Sequence, residues 1–307
     1  MKVLVTGASG MLGSAVVKFA SLADLRLFIP SHRELDLEQV LPTFEYLKLH
    51  RPDAIIHCAA KVGGISANVA NPIEFLTKNI RMDTSLLGAA KELEIENLIY
   101  IGSSCMYPKN LPHAMTELEI LTGPLEPTNE GYALAKLVGW KTVQLIASTL
   151  TWRSFVLSNL YGPQDHFEPG RSHLLAAIIE KIHVAKINNS KSVDMWGDGS
   201  AKREFTFVDD VASFLVQSLE RLKDFPDTLN VGAGVDHSVL DYYKLVSKAM
   251  NYEGEIQADL TKPTGMKRKL MDISQARGYG WAPQTSIESG IKKTVTWYEE
   301  NFKKNPS

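Results

Sequence analysis

Short apolar runs rich in β-branched residues alternate along the first half of the chain with longer segments whose apolar residues recur at helical spacing. The run Lys2–Thr6 has the composition of a buried strand, and Ser14–Ala23 follows it with helical periodicity. Further strand-like runs are Leu25–Ile29, Ala54–Ala59, Leu98–Ile101 and Phe155–Leu160, and the helix-like segments between them include Phe75–Leu93 and Tyr132–Leu150. This alternation predicts an α/β fold, with a doubly wound parallel sheet that is covered by helices on both faces.

The pattern becomes irregular after Leu160. Residues Tyr161–Arg171 are rich in Gly, Pro, Asp and His and carry no apolar period, which predicts a long loop. A helix-like stretch, a strand-like run and an amphipathic segment follow it, at His173–Ala185, at Val193–Trp196 and from Val208 onward. Asp209 is the predicted N-cap of the last segment, because an aspartate side chain can accept a helix N–H.

Composition narrows the class of protein. The 307 residues are 44% hydrophobic and 22% charged, which is ordinary for a globular protein. A formal net charge of −2 argues against non-specific binding to nucleic acid or to an anionic membrane, since both need a cationic surface. No apolar run approaches the roughly 18 residues of a transmembrane helix, and the first residues lack the apolar stretch of a signal peptide. Cys58 and Cys105 are too few for a disulfide scaffold and no cluster has metal-ligand spacing, so we expect a cytoplasmic protein that acts on small molecules.

A glycine turn joins the first strand to the first helix. Gly7, Gly10 and Gly13 stand directly after Lys2–Thr6 and open the helical segment. Such a turn needs glycine where the backbone bends, where a Cβ would block a pyrophosphate, and where helix and strand pack closely. The pattern favours dinucleotide binding over the alternative, a glycine loop that only connects two elements. The residues predicted to bind the cofactor here are Gly7, Ser9, Gly10, Met11, Leu12 and Gly13.

The end of the second strand-like run distinguishes the two nicotinamide cofactors. An acidic residue there would accept the ribose 2′-hydroxyl of NAD, but the stretch Phe28–Arg33 holds none. His32 and Arg33 are placed to meet a 2′-phosphate, which a guanidinium binds through paired hydrogen bonds. We therefore predict NADP(H). The alternative is that both residues are solvated and that Glu34 or Asp36 reaches the ribose.

A serine, a tyrosine and a lysine form a second chemical pattern. Tyr132 and Lys136 are four residues apart, so both lie on one face of the predicted helix. Ser103 follows the strand Leu98–Ile101 and so lies at the carboxyl edge of the sheet, where open α/β folds bind ligands. A nearby cation and an oxidised nicotinamide ring would stabilise the phenolate of Tyr132 and lower its pKa, which suits proton exchange with a carbonyl oxygen. The alternative for Tyr132 is a half-buried packing residue.

With these motifs the sequence resembles the extended short-chain dehydrogenase/reductases, and longer stretches resemble the GDP-L-fucose synthase family in particular. Those stretches are residues 59–65 (AAKVGGI), 102–108 (GSSCMYP), 125–130 (LEPTNE), 159–163 (NLYGP), 196–197 (WG), 203–205 (REF) and 230–232 (NVG). The resemblance extends from about residue 3 to about residue 300, which is nearly the whole chain.

The resemblance implies an enzyme with two activities. It would convert GDP-4-keto-6-deoxy-D-mannose to GDP-L-fucose, by 3,5-epimerisation and by NADPH-dependent reduction at C4. The family assigns the epimerisation to a cysteine and a histidine, which match Cys105 and His173. Ser103 and Tyr132 would hold the C4 oxyanion, Tyr132 would protonate it, and Lys136 would tune Tyr132 and bind the nicotinamide ribose.

The resemblance also implies the binding residues and the assembly. Lys181, Trp196 and Arg203 match positions that contact the sugar nucleotide. Beyond the glycine turn, the residues implied to bind the cofactor are His32, Arg33, Ser103, Lys136, Asn159, Leu160 and His173. Members of the family are usually homodimers joined by helices of the first domain.

Departures from the family pattern leave alternatives open. Ser9 and Pro30 stand where the family often has Arg, and Thr264 stands where it has Asp. One alternative is a 4-reductase or an epimerase that acts on a different nucleotide sugar, although Cys105 and His173 together argue against a plain 4-epimerase. Another is a binding protein without activity, against which the intact serine, tyrosine and lysine argue.

We predict two closely packed domains, because no Pro-, Gly- or Ser-rich linker interrupts the chain. Residues 1–162 and about 206–235 form the NADP-binding domain, a Rossmann-type doubly wound parallel sheet. Residues about 163–205 and 236–307 form a smaller, interrupted C-terminal α/β domain that binds the sugar nucleotide.

Overall fold

The computed structural model describes residues 1–168, 170–262 and 266–302, and within them the chain forms a six-stranded parallel sheet and a smaller group of strands. The strands are β1 (Lys2–Thr6), β2 (Arg26–Phe28), β3 (Ala54–His57), β4 (Asn97–Ser103), β5 (Thr151–Leu157), β6 (Asn159–Tyr161), β7 (Ser192–Trp196), β8 (Lys202–Phe207), β9 (Thr228–Val231), β10 (Asp236–Ser238), β11 (Glu255–Asp259) and β12 (Arg268–Lys269). The α-helices are α1 (Met11–Leu22), α2 (Val40–His50), α3 (Ile65–Ala70), α4 (Pro72–Glu92), α5 (Glu130–Ile146), α6 (Leu174–Ile187), α7 (Val208–Ser218), α8 (Val239–Met250), α9 (Ser274–Gly278) and α10 (Ile287–Phe302). None of the described helices is both long and apolar enough to cross a lipid bilayer. Thr264 lies outside the described residues.

The strand order of the large sheet creates a crevice beside β1. The order is β2-β1-β3-β4-β5-β9, and all neighbouring strands are parallel. Leu4 pairs with Ile55, and Ile55 pairs with Leu98. The chain leaves β1 for β2 on one side and then returns to β3 on the other, so its crossovers diverge there. Ligands of open α/β sheets bind at such a switch point, outside the carboxyl ends of the strands.

Successive side chains of these strands point to opposite faces of the sheet and are buried in two separate hydrophobic cores. Val5 and Phe155 belong to the core with residues of α1 and α7. Leu4 and Leu98 belong to the core with residues of α2, α4 and α5. Helices therefore cover both faces of the sheet, which confirms the doubly wound α/β fold predicted from the alternation of strands and helices.

The smaller group of strands surrounds β8 and forms a second lobe. β8 is parallel to β6 and β12 and antiparallel to β10, while β7 is parallel to β11. A third core joins these strands to α6, α8 and α10. In it, the ring of Phe205 meets those of Tyr161 and Tyr242 edge to face, at centroid distances of 6.2 and 5.0 Å. Near the end of the described chain, Ile273 and Trp281 pack in the first core. The domain boundaries predicted from the sequence stay a prediction.

The prediction of a single strand over Phe155–Leu160 is wrong. The chain breaks at Ser158, and β6 begins at Asn159 in the other sheet. Ser158 Oγ lies 2.6 Å from Thr206 Oγ1, and Asn159 Nδ2 donates to the carbonyl oxygen of Glu204 at 2.9 Å. These contacts of the two polar residues within the run hold the chain against β8, so the backbone leaves the large sheet there.

The prediction of Asp209 as an N-cap is also wrong. The N-cap of α7 is Phe207, and Asp209 lies inside the first turn of the helix. Its Oδ2 is 2.7 Å from Nζ of Lys18, so the carboxylate pairs α7 with α1 instead of capping the helix. The other predicted segments contain the expected element, displaced at their ends by a few residues.

A buried carboxylate connects the two lobes. Glu204 of β8 is 1% exposed. Its Oε1 accepts the N–H of Gly234 and its Oε2 accepts the N–H of Met271, both at 2.8 Å. Burial raises the pKa of Glu204 to about 7, although these backbone hydrogen bonds favour the ionised form. One side chain thus links β8 to the segment after β9 and to the segment after β12.

The stability of the fold should depend on the ionisation of Glu204. Its folded-state pKa of about 7 lies above the ordinary 4.5, so its contribution to stability is complete below pH 4.5 and is lost as the pH rises through 7. Between pH 5 and pH 8 we expect the free energy of unfolding of the wild type to fall by about 2–3 kcal/mol relative to Glu204→Gln. Urea denaturation of both proteins measures this, and a difference independent of pH would contradict it.

Candidate active site

The glycine turn lies at the switch point of the large sheet, between β1 and α1. Gly7 has a φ of +68°, where other residues are strained, and a Cβ there would lie 2.7 Å from the backbone of Ala59. A Cβ on Gly13 would lie 2.1 Å from the carbonyl oxygen of Gly7. Gly10 is the N-cap of α1 and offers no side chain to its first N–H groups, which leaves them to an anion. The turn therefore fits the diphosphate of a dinucleotide.

The turn after β2 holds the predicted determinants of the 2′-phosphate. His32 and Arg33 are both exposed in it. Glu34 accepts hydrogen bonds from the backbone and the hydroxyl of Ser31, both at 2.8 Å, and Asp36 accepts a backbone N–H at 3.0 Å. Asp36 Oδ1 also lies 3.8 Å from His32 Nδ1, which leaves Arg33 as the exposed cation of this turn. The role of His32 and Arg33 stays a prediction.

The other residues predicted to bind the cofactor flank the same edge of the sheet. Ser9 is exposed at the tip of the glycine turn, while Met11 and Leu12 are partly buried against the first core. Asn159 and Leu160 follow the carboxyl end of β5, where Asn159 is fixed by its hydrogen bond to β8. Leu160 packs against the first core as well. These five residues thus lie at the carboxyl ends of β1 and β5.

Ser103 and Tyr132 come together at the carboxyl end of β4. Ser103 is the last residue of β4, and Tyr132 lies in the first turn of α5. Burial raises the pKa of Tyr132 well above 10, and the negative charges of Cys105 and Asp83 act in the same direction. A hydrogen bond with Ser103 acts against them. The direction is opposite to the one predicted from the helix spacing, and Tyr132 is protonated at neutral pH.

Lys136, the cation expected to act on Tyr132, pairs with a buried acid. Its side chain is 2% exposed, and Nζ lies 3.8 Å from Asp83 Oδ2 and 4.4 Å from the ring centroid of Tyr100. Burial lowers the pKa of Lys136, and the charge of Asp83 opposes that shift. Sequence reasoning does not single out Asp83. An acid on the apolar face of α4, in line with Leu86 and Ala90, is the signal that points to it.

Cys105 lies in the short 3-10 turn directly after β4, with two donors on its sulfur. Asn129 Nδ2 is 3.1 Å and Lys269 Nζ is 3.2 Å from Sγ. The N–H of Cys105 donates to Ser103 Oγ at 3.2 Å, so the thiol and the serine hydroxyl are adjacent. Ammonium and amide donors pair best with a thiolate, the form of cysteine that acts as a base. Sequence reasoning misses both donors, although Asn129 belongs to the LEPTNE stretch.

His173 is the N-cap residue of α6, and its side chain makes no capping hydrogen bond. Burial lowers the pKa of His173 to about 4, and the positive charges of Lys269 and His166 act in the same direction. The imidazole is therefore neutral at pH 7. Lys269 thus acts electrostatically on both residues that the resemblance assigns to epimerisation, Cys105 and His173.

The predicted sugar-nucleotide residues all lie in the second lobe, on α6, β7 and β8. Lys181 Nζ lies 5.5 Å from the ring centroid of Trp196, and Lys262 Nζ lies 5.8 Å from the same ring. The indole is 46% exposed, so a flat ligand can stack on it between two cations. Arg203 instead donates to the carbonyl oxygen of Met266 at 2.7 Å. The structure therefore brings Lys181 and Trp196 together, while Arg203 lies on β8 and contacts the segment before β12.

The influence of Lys269 on His173 can be measured by titration. In the wild type, the His173 imidazole should titrate near pH 4. Lys269→Met removes a neighbouring positive charge, so the pKa of His173 should rise by about one unit. Lys248→Met, which changes an exposed lysine of α8, should leave it unchanged. NMR titration of the histidine rings, assigned with His173→Gln, measures both values, and equal values in the two lysine variants would refute the influence.

The comparison with protein families matches most of the chain. Residues 3–232, from β1 through β9, match the model of the NAD dependent epimerase/dehydratase family. The matched region includes the glycine turn, Ser103, Cys105, Tyr132 and Lys136.

Individual relatives extend the similarity to nearly the whole length. A GDP-L-fucose synthase of Azorhizobium caulinodans is 43% identical over 299 residues, which cover 97% of this chain and 96% of the relative. A GDP-L-colitose synthase of Yersinia pseudotuberculosis is 42% identical over 301 residues, which cover 97% of this chain and 98% of the relative. Among solved structures, the GDP-mannoheptose C4 reductase from Campylobacter jejuni with NADP bound matches with a TM-score of 0.88 at 26% identity, over 97% of this chain and 98% of that one. The chain therefore belongs to the NAD dependent epimerase/dehydratase family and, within it, groups with the GDP-L-fucose synthases.

Proposed function

We propose that the protein is a bifunctional epimerase and reductase that converts GDP-4-keto-6-deoxy-D-mannose to GDP-L-fucose. Two proton-transfer groups on one edge of the sheet carry this proposal. One is Cys105 with the ammonium of Lys269 on its sulfur, and the other is Tyr132 with Lys136 one helical turn away. Reduction of a ketone needs only the second group, whereas the first supplies a base for the carbon next to that ketone. The name of the relative from Azorhizobium caulinodans supports the same product.

We infer that the cofactor is NADP(H). The glycine turn leaves room for its diphosphate, and Lys136 would hold the nicotinamide ribose. His32 and Arg33 would meet the 2′-phosphate, and the similar C4 reductase was solved with NADP bound. When bound, NADPH supplies the hydride that reduces the C4 carbonyl.

Cys105 and His173 would carry the epimerisation. C3 and C5 both lie next to the C4 ketone, so removal of a proton from either carbon leaves an enolate with its charge on the C4 oxygen. The Cys105 thiolate, paired with Lys269, takes the proton, and His173 returns one to the opposite face, which inverts the carbon. Hydrogen bonds from Ser103 and Tyr132 hold the C4 oxygen meanwhile. A neutral His173 must first gain a proton, and the negative diphosphate of the substrate favours that step.

Tyr132 would complete the reduction. Its raised pKa keeps the phenol protonated at neutral pH, so it can give its proton to the C4 oxygen when the carbonyl becomes an alkoxide. The charge of Lys136 stabilises the phenolate that remains. Ser103 holds the same oxygen, so one pair of hydroxyls would serve both stages.

The similarity to a GDP-L-colitose synthase supports a second candidate substrate. A relative of that name is 42% identical, nearly as similar as the GDP-L-fucose synthase at 43%. The same catalytic residues would act on another GDP-linked keto sugar. The two candidates are separated by testing both sugar nucleotides with the same protein.

We infer that the enzyme works in the cytoplasm. Cys58 and Cys105 are both free thiols, and the proposed chemistry needs Cys105 to stay reduced. Reducing compartments keep such thiols free.

Isotope incorporation tests the whole proposal. The protein is incubated with GDP-4-keto-6-deoxy-D-mannose and NADPH in D₂O, while absorbance follows the reduced nicotinamide. We expect NADPH to be consumed and deuterium to appear at C3 and C5 of the product, because each inverted carbon takes its proton from a group that exchanges with solvent. Consumption without deuterium would leave a simple 4-reductase, and no consumption with either GDP-sugar would reject the function.

Variants separate the two stages of that reaction. Cys105→Ser and His173→Gln should each lower deuterium incorporation by about 10²-fold or more, because a general base or acid contributes about 10²–10⁴-fold. Tyr132→Phe should abolish NADPH consumption and leave slow deuterium exchange into the substrate. Cys58→Ser is the matched control, since burial raises the pKa of Cys58 to about 12 and gives it no part in the reaction.

We also propose a homodimer that is joined by α4 and α5. Ile73 of α4 is 74% exposed, and Leu145 of α5 is 69% exposed. Burial of such side chains stabilises an interface between copies. Leu145→Glu should therefore shift the sedimentation coefficient toward the monomer. Leu22→Glu, at a 76% exposed position of α1, should leave it unchanged, and a monomeric wild type would reject the proposal.

A further inference from the structure

Asp83 lies at the centre of a buried polar cluster beneath the active site. Lys136 Nζ is 3.8 Å from Asp83 Oδ2. The other donors to Asp83 are the Tyr100 hydroxyl, 2.5 Å from Oδ2, and His57 Nε2, 3.0 Å from Oδ1. Asp83, His57 and Tyr100 are fully buried and Lys136 is 2% exposed, so solvent does not screen this cluster.

His57 connects Asp83 to the first strand of the large sheet. His57 Nδ1 lies 2.7 Å from Thr6 Oγ1, and this oxygen already accepts the N–H of Ala59 at 3.2 Å. The Thr6 hydroxyl and the two ring nitrogens of His57 thus form one hydrogen-bonded chain that ends on Asp83. The salt bridge between Asp83 and Lys136 belongs to the same cluster. The cluster also reaches the glycine turn, because Thr6 directly precedes Gly7.

Neither charge of this pair is stable without the other. Removing one partner of a buried ion pair leaves an uncompensated charge, which a side chain avoids by changing its protonation state. Burial alone would raise the pKa of Asp83, but the charge of Lys136 and the hydrogen bonds from His57 and Tyr100 hold it below its usual value. Burial lowers the pKa of Lys136, and Asp83 is the first of the groups that oppose this.

We propose that Asp83 is a positioning residue for the reduction, held by His57 and Tyr100, whose charge keeps the ammonium of Lys136 protonated one helical turn from Tyr132. The inference rests on the proposed function, because that function gives Tyr132 and Lys136 their roles. The titratable groups that act on Asp83 or Lys136 are His57 of β3, Cys58 after that strand and Tyr100 of β4, and Asp83 in turn acts on Tyr132 of α5.

Asp83 acts on Tyr132 in two ways that have opposite signs. Its carboxylate repels a phenolate directly, which raises the pKa of Tyr132. The ammonium that it maintains attracts a phenolate, which lowers that pKa. If Asp83→Asn removed only the repulsion, Tyr132 would ionise at a lower pH than in the wild type. If Lys136 loses its proton as well, Tyr132 ionises at a higher pH.

The sign of this shift is measured by ultraviolet absorbance of the phenolate in the full-length protein saturated with NADP⁺. Subtracting the spectrum of a matched Tyr132→Phe protein isolates Tyr132 from the other tyrosines. We expect Asp83→Asn to shift the ionisation of Tyr132 upward by about one pH unit or more, a tenfold loss of phenolate. A downward shift, or none, would overturn the proposal. Asp209→Asn is the matched control, since its carboxylate pairs with the exposed Lys18, and it should cause no shift.

A second variant decides the outcome if Asp83→Asn does not fold. In Asp83→Asn/Lys136→Met both charges are absent, and we expect cooperative thermal unfolding to return. A double variant that stays unfolded would show that Asp83 is needed for reasons other than Lys136, which also overturns the proposal. The absorbance measurement uses no sugar nucleotide. If the protein does not turn over GDP-sugars, the proposed function is rejected, but the absorbance measurement still shows how Asp83 affects Tyr132.

Discussion

Helices on both faces of the large sheet leave its carboxyl edge as the place where strand ends and helix N-termini meet a ligand. The glycine turn follows β1, Ser103 ends β4, and Asn159 follows β5, so all three reach that edge. α1 and α5 begin there too, which brings Tyr132 next to Ser103. The topology thus assembles a phosphate-binding turn and a pair of hydroxyls from segments that are far apart in sequence.

Two buried lysines determine the chemistry that the edge can perform. Lys136 is 2% exposed and Lys269 is 8% exposed, so each acts in a medium that screens charge poorly. Lys136 lies near the phenol that must release a proton, and Lys269 contacts the thiol that must take one. The two cysteines show how local this effect is. Burial raises the pKa of Cys58 to about 12, whereas Cys105 has two donors on its sulfur.

Sequence patterns predict the parts of the fold and the site that depend on neighbours along the chain. Periodicity predicts most strands and helices. The sequence also reveals the glycine turn and the spacing of Tyr132 and Lys136, because each pattern spans only a few residues. The break at Ser158 depends on a contact with β8, 48 residues later. Asp83 and Lys269 act through contacts of the same long-range kind. No local pattern contains such contacts, so the sequence alone predicts the reacting groups better than the charges that tune them.

The two proposed activities differ in how much of the fold they need. Ser103, Tyr132 and Lys136 all come from the first lobe, and Lys136 is held by Asp83 within that lobe. Cys105 comes from the first lobe as well, but its ammonium partner comes from β12 of the second. Glu204 fixes Met271, two residues beyond Lys269, through a hydrogen bond from its N–H. A movement between the lobes therefore changes the environment of the thiol and leaves the serine, tyrosine and lysine in place, so epimerisation depends on lobe packing more directly than reduction does.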